Sequence, residues 1–214
     1  MAREKIYRQQ TAGEEMANSI SHGVGAFLAL LGAVPLVARG AMTGSALRLV
    51  SLLVYGISLV LLYGASAVYH AVKEPRIKSV LRVMDHCSIF VLILGTYIPM
   101  SLIVVGGKTG WLLFLTNATL AVVGITLNAI DLKRFDKASL VLYAMMGWLV
   151  VVAIRSVIDA LPPLELFLLA AGGVAYTAGI IFYKSQKKYR HFVWHLFVLL
   201  GSVLQYACIA LCCV

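Results

Sequence analysis

What most constrains this chain is a succession of apolar runs, each near the length of one bilayer crossing. They fall at about residues 20–39, 46–70, 83–105, 109–130, 138–158, 164–183 and 191–213. At roughly 20 residues per helical crossing, seven spans use about two thirds of the chain. Apolar residues make up 61% of the 214 positions and charged residues 13%, against about a quarter charged in an ordinary soluble domain. The expected fold is therefore all-α, a polytopic seven-transmembrane-helix bundle. A polar segment at 1–19 precedes a single membrane domain at 20–214, with no room for a second water-soluble domain.

The breaks carry the residues expected of short loops: Arg39-Gly40, Lys73 to Arg76, Gly106 to Lys108, Asp131 to Lys137, Pro162-Pro163 and Lys184 to Arg190. Residues 1–19 lack the basic start and early apolar core of a signal peptide, so the first run reads as an uncleaved anchor. Pro99, with Gly95 one turn before it, predicts a kink in the third helix. Gly64, Ala65, Gly172, Gly173 and Gly179 predict close helix packing.

Basic loops stay on the cytoplasmic side of a membrane. Counting the N-terminal segment and every second loop, one side holds 14 of the 18 Lys and Arg residues. The other side holds Arg39, Arg48, Lys108 and Arg155. This bias places the N-terminus in the cytoplasm and the C-terminus outside, and it favours seven spans because six or eight would scramble the alternation. The net charge of +9 is spread over separate loops without a basic, aromatic-studded domain, so it points to topology and to anionic lipid headgroups rather than nucleic acid. The cysteines Cys87, Cys208, Cys212 and Cys213 form no C-x-x-C pair, and small apolar filler is their expected role.

Ionisable groups inside hydrocarbon are costly, which makes each a functional candidate. His70 ends the second apolar run, Asp85 and His86 open the third, and His191 and His195 open the seventh. The charge-derived topology puts all of them at the cytoplasmic ends of their helices. His191 and His195 stand at i and i+4, one turn apart on one face. With His70 they make three neutral nitrogen donors, a set that suits Zn2+ and leaves a fourth position for water. Each residue also has a plainer reading: the histidines as interfacial rings at helix ends, and Asp85 as a helix N-cap. Ser66, four residues before His70, either orients a ligand or bonds its own helix backbone. Glu15, Asn18 and His22 form one helical stripe that either supports the site or is the wet side of an interfacial helix. Asp131, beside Lys133 and Arg134, reads as part of a solvated loop.

The segments EEMANSISHGVG, SAVYH, MDHCSIF, GTYIP, MGW and HFVWHLFVLLGS, in this order, resemble the bacterial hemolysin III family of the progestin and adipoQ receptor superfamily. The resemblance runs from about Glu14 to the C-terminus. It implies a multi-pass protein of the bacterial plasma (inner) membrane with a zinc ion near the cytoplasmic side, held by His70, His191 and His195. It also implies that Ser66 belongs to the site and that Asp85 touches zinc through water; His86, next to Asp85, would point about 100° away around a helix and is left outside the site.

Three activities fit these expectations. The first is zinc-dependent hydrolysis of a lipid amide or ester, ceramide-like or another acyl lipid, with Asp85 as base and Ser66 positioning water or stabilising the oxyanion. The second is a non-enzymatic membrane sensor whose zinc is structural. The third is a cytolytic activity, which the sequence supports least, because no polar stripe runs the length of the helices.

Overall fold

The structure, a computed structural model, describes residues 8–214; Arg3 and Lys5 of the charge bias lie outside them. Among the described residues every regular element is helical: α1 Ala12–Met42, α2 Ala46–Ala71, α3 Pro75–Pro99, α4 Gly107–Trp148, α5 Ile154–Ala160, α6 Pro163–Tyr183 and α7 Arg190–Cys212. A π-turn, Met100–Val105, follows α3, and a 3-10 turn, Leu149–Ala153, joins α4 to α5. Among the described residues, six helices are long and apolar enough to cross a membrane.

Local chemistry sets the starts of these helices. Thr11 and Glu14 form a reciprocal capping box on α1, which satisfies donors that the first turn leaves free. Ser45 caps α2 through the Arg48 amide. At α3, Glu74 Oε2 accepts from the Ile77 amide at 2.6 Å and Pro75 occupies the first turn, where its missing N–H costs nothing. The third helix thus begins well before the apolar run at 83–105 and carries Arg76, Lys78 and Arg82 on its first turns. This overturns the reading of Asp85 as an N-cap, because Asp85 lies in the third turn of a helix already capped by Glu74. Pro99, where a kink is expected, is the last residue of α3, and the π-turn follows it directly.

The longest apolar helical stretch, Gly107–Ala160, has 54 residues, about 80 Å if straight. It is not straight. Asp131 has extended backbone angles (φ −159°, ψ 94°), and its Oδ1 accepts from the Arg134 amide at 3.0 Å, capping the second arm. The arms then run back along each other. Asn117 Nδ2 donates to the Met146 carbonyl at 3.2 Å, and Ser139 donates to Asn128 Oδ1 at 2.5 Å. An unbroken helix would hold Asn117 and Met146 more than 40 Å apart. The expected break at 131–137 is therefore one exposed residue rather than a loop.

The packing is inverted relative to a water-soluble protein. Asn18, Ser58, Ser66, Asn117 and Asn128 are buried, while Phe27, Val34, Leu112 and Ile181 are more than half exposed. An apolar exterior around polar contacts is the arrangement lipid favours. α1 packs on α2 and α7, α2 on α3, α3 on α4, and α6 on α7. Close packing holds at Gly172 and Gly179, where an added Cβ would lie 2.7 Å from Gln205 and 2.8 Å from Trp194, but Gly64 faces open space and Gly173 has nothing tighter than 4.0 Å. All four cysteines are free, and Cys208 and Cys213 are buried in the main apolar core as filler.

Candidate metal centre

α2 ends on His70, and α7 presents His191 and His195 one turn apart at its start. Their candidate ligand nitrogens all lie within 4.8 Å of one another. The ring centroids are 5.3 Å apart for His70 and His191, 5.0 Å for His70 and His195, and 4.8 Å for His191 and His195. His70 and His195 are buried and His191 is half-buried. Zinc–nitrogen bonds of about 2.0–2.1 Å would draw tetrahedral donors to roughly 3.4 Å from one another, a small closure of a cluster already assembled.

α1 decides which nitrogens face the cluster. Glu15 Oε2 lies 2.7 Å from His70 Nδ1. A carboxylate can only accept, so Nδ1 carries the proton and, in the neutral ring, Nε2 presents a lone pair. That Nε2 is buried and has no protein partner. On the same helix, the Ser21 hydroxyl donates to the Asn18 carbonyl at 2.8 Å, so towards His195 Nδ1, 3.2 Å away, its oxygen accepts. His195 is thereby held in the same tautomer. A carboxylate behind His70 and a hydroxyl behind His195 are the support metal-binding histidines require. The donor set and the orphaned Nε2 both fit a metal ion, and nitrogen donors of this kind suit zinc.

The stripe of Glu15, Asn18 and His22 faces inward, which removes its reading as the wet side of an interfacial helix. His22 is stacked on His195 with centroids 3.6 Å apart and planes 10° from parallel, and it meets the edge of Tyr63 at 5.0 Å. Asn18 is fully buried and donates to Gln10 Oε1 at 2.5 Å. Lys78 on α3 reaches Glu15 Oε1 at 3.1 Å and also donates to the Tyr69 and Val72 carbonyls at 3.1 and 3.2 Å, so Glu15 joins three helices.

Ser66, Asp85, His86, His191 and His195 share the wall of one cavity of about 260 Å³. The cavity continues away from the histidines between α3, α6 and α7, past Leu92, Met100 and Val157. The charged and ring-bearing groups thus stand at one end of a long apolar space. His86 lines it without joining the three-histidine group, and its carbonyl accepts from Tyr143 Oη at 2.7 Å.

A match to the family described as "Haemolysin-III related" covers residues 10–206. The chain belongs to the haemolysin III family. It is 39% identical over 208 residues to the Hemolysin-3 of Bacillus cereus, covering 96% of this chain and 95% of that protein. It is 38% identical over 205 residues to the Hemolysin-3 homolog of Bacillus subtilis (strain 168), covering 95% and 96%. The human monocyte to macrophage differentiation factor is 26% identical over 209 residues, covering 92% of this chain and 83% of that protein. No solved structure matches.

Two supports of this haemolysin III site had no distinct sequence signal. Ser21 is one serine among many, and its position against His195 depends on how α1 packs on α7. Glu14 is the other. Its carboxylate is buried, pairs with the Arg8 guanidinium and accepts from the Tyr189 amide at 2.8 Å. Arg8 also donates from Nε to the Gln186 carbonyl at 2.9 Å. Tyr189, two residues before His191, is the one non-glycine among the described residues with a positive φ, at 59°. A left-handed residue is uncommon outside glycine, so the start of α7 is shaped by a carboxylate supplied from α1. No spacing along the chain signals the reach of Glu14 across to Tyr189, 175 residues away.

Proposed function

We propose that this haemolysin III protein is a zinc-dependent hydrolase of a lipid amide or ester in the bacterial plasma membrane. It would cross the membrane seven times, the two arms of α4 each forming a span, with the N-terminal segment in the cytoplasm and the C-terminus outside. The single observation that carries the reading is the joining of a three-imidazole cluster, with His70 and His195 held in one tautomer, to an apolar cavity that also contains a carboxylate.

His70, His191 and His195 would hold the metal. When bound, Zn2+ supplies Lewis acidity and makes water nucleophilic at neutral pH. The chain's own groups then have distinct tasks. Asp85, half-buried on the cavity wall, accepts a proton from the attacking water and returns it to the leaving nitrogen or oxygen. Ser66, on the face of α2 that carries His70, holds the water or donates to the developing oxyanion. The apolar cavity takes the acyl chain and keeps bulk water from the reacting carbonyl.

Metal analysis of purified protein tests the centre: stoichiometric zinc in the wild type and its loss in His191→Ala are expected. Asp85→Asn tests the chemistry, and should abolish hydrolysis of a ceramide or other acyl-lipid panel while zinc stays bound. Unchanged hydrolysis in a folded, zinc-loaded Asp85→Asn protein would remove the assigned base. A structural zinc in a non-enzymatic sensor is the second reading, favoured by the way the cluster and Glu15 tie α1, α2, α3 and α7 together. That reading expects zinc binding and no hydrolysis in the wild type.

A further inference from the structure

The start of α7, which carries His191, has no cap of its own. Tyr189 is its N-cap and no side chain caps the helix locally. Three residues on, where a capping box places an acceptor for the N-cap amide, stands Phe192. Glu14 supplies that acceptor from α1. Its Oε1 takes the Tyr189 amide at 2.8 Å, while its Oε2 takes the Thr11 amide at 2.9 Å in the capping box of α1. Tyr189 meanwhile holds a φ of 59°, and a strained backbone of this kind persists only where its surroundings enforce it.

Residues 184–189, between α6 and α7, are tied down from the same place. The Arg8 amide donates to Gln186 Oε1 at 3.2 Å, and Arg8 Nε donates to the Gln186 carbonyl at 2.9 Å. Among the described residues, these bonds and the one from Tyr189 to Glu14 are the hydrogen bonds that join the segment to another part of the chain. Arg8 and Glu14 are themselves an ion pair. Gln186, Lys187, Lys188 and Tyr189 are otherwise exposed.

The other sides of the histidine cluster are closed. Glu15 and Lys78 stand behind His70, and His22 is stacked on His195. His70 and His195 are buried and His191 is the least buried of the three. A cation cannot shed its water for an apolar cavity without a large uncompensated cost, so the cavity between α3, α6 and α7 is no path for it.

We propose that residues 184–189 are a gate through which a divalent cation enters and leaves the three-histidine centre, and that Arg8 and Glu14 latch it shut. With Glu14 released, Tyr189 returns to an ordinary backbone conformation, the uncapped first turn of α7 frays, and His191 moves away with it. His70 and His195 then face the opening, and closure restores His191. The gate rests on the reading of the three histidines as a metal centre and adds control over how fast that centre fills and empties. The latch acts on opening rather than on the bonds to the metal, so loosening it speeds entry and exit by the same factor and leaves affinity unchanged.

The test is stopped-flow measurement of zinc association and dissociation on the purified full chain, with a fluorescent chelator as competitor. The double variant Arg8→Ala, Glu14→Gln opens the latch without leaving a buried charge unpaired. It should raise both rates about tenfold, the effect of losing one charge-assisted pair, with the dissociation constant unchanged. A second variant locks the gate instead. In a cysteine-free background, Arg8→Cys, Gln186→Cys should exchange zinc fast after treatment with a monofunctional methanethiosulfonate, more slowly than the wild type when a short bifunctional one bridges the two thiols, and fast again once the bridge is reduced. Faster dissociation alone, with weaker affinity, would make the pair a support for His191 and overturn the gate. Exchange indifferent to the bridge overturns it as well, and leaves the metal centre intact. Absence of zinc binding by the wild type overturns the metal centre and the gate with it.

Discussion

Glu15→Ala should weaken zinc binding although Glu15 touches no metal. The carboxylate holds His70 Nδ1 at 2.7 Å and so fixes both the ring's direction and the nitrogen it offers. A hydrogen bond to a charged group contributes about 1.5–3 kcal/mol. The Glu15 side chain is 22% exposed, and solvent screening places its value near the low end of that range. At about 1.4 kcal/mol per tenfold, the expected loss is about ten- to thirtyfold in zinc affinity, within the range seen when a histidine ligand loses the group behind it. Glu15→Gln keeps a neutral acceptor and should lose only about threefold. Lys78→Met removes the other partner of Glu15 without touching His70, and should leave zinc affinity nearly unchanged. Competition against a fluorescent chelator, on detergent-purified protein with thermal melts in excess chelator as a folding control, measures all three. Wild-type affinity in a folded Glu15→Ala protein would refute the reasoning, as would a Lys78→Met loss equal to that of Glu15→Ala.

Other consequences follow from the Arg8–Glu14 pair, the packing and the topology. Arg8→Ala leaves the Glu14 carboxylate buried with its cation removed, so it should lower the melting temperature more than the double variant Arg8→Ala, Glu14→Gln, as read by differential scanning fluorimetry. Gly179→Ala drives a Cβ to 2.8 Å from Trp194 and 2.9 Å from Phe197 and should destabilise by about 1–3 kcal/mol. Gly64→Ala meets open space and should be neutral or slightly stabilising in the same thermal assay. In a cysteine-free background on intact cells, a membrane-impermeant maleimide should label a cysteine at Gly107 and spare one at Ser185. Labelling of Ser185 would mean that α4 crosses the membrane once and that the chain has six spans.

Much of this molecule was legible before any coordinates, because lipid imposes a simple rule: backbone donors and acceptors must be satisfied within each span, so apolar runs become helices. The runs located the helices, and the spacing of His191 and His195 put two imidazoles on one face. The misreadings also have physical causes. α3 begins at Pro75 because Glu74 caps it, and hydropathy does not register a polar helical turn. The stripe of Glu15, Asn18 and His22 was ambiguous because helical period shows that residues share a face without showing which way that face looks.

What the sequence determined by itself is local: the helical spans, their punctuation, and the small set of polar groups that a membrane core would not carry without cause. The tertiary structure decided what those groups do to one another. Packing of α1 against α2 and α7 puts Glu15 behind His70 and Ser21 behind His195, and reversal at Asp131 folds one long apolar stretch into two antiparallel arms. Convergence of α3, α6 and α7 makes the apolar cavity that leads away from the histidines. Each of these depends on distances between residues far apart in the chain, and such distances are set by side-chain packing between helices, which no periodicity within a single helix encodes.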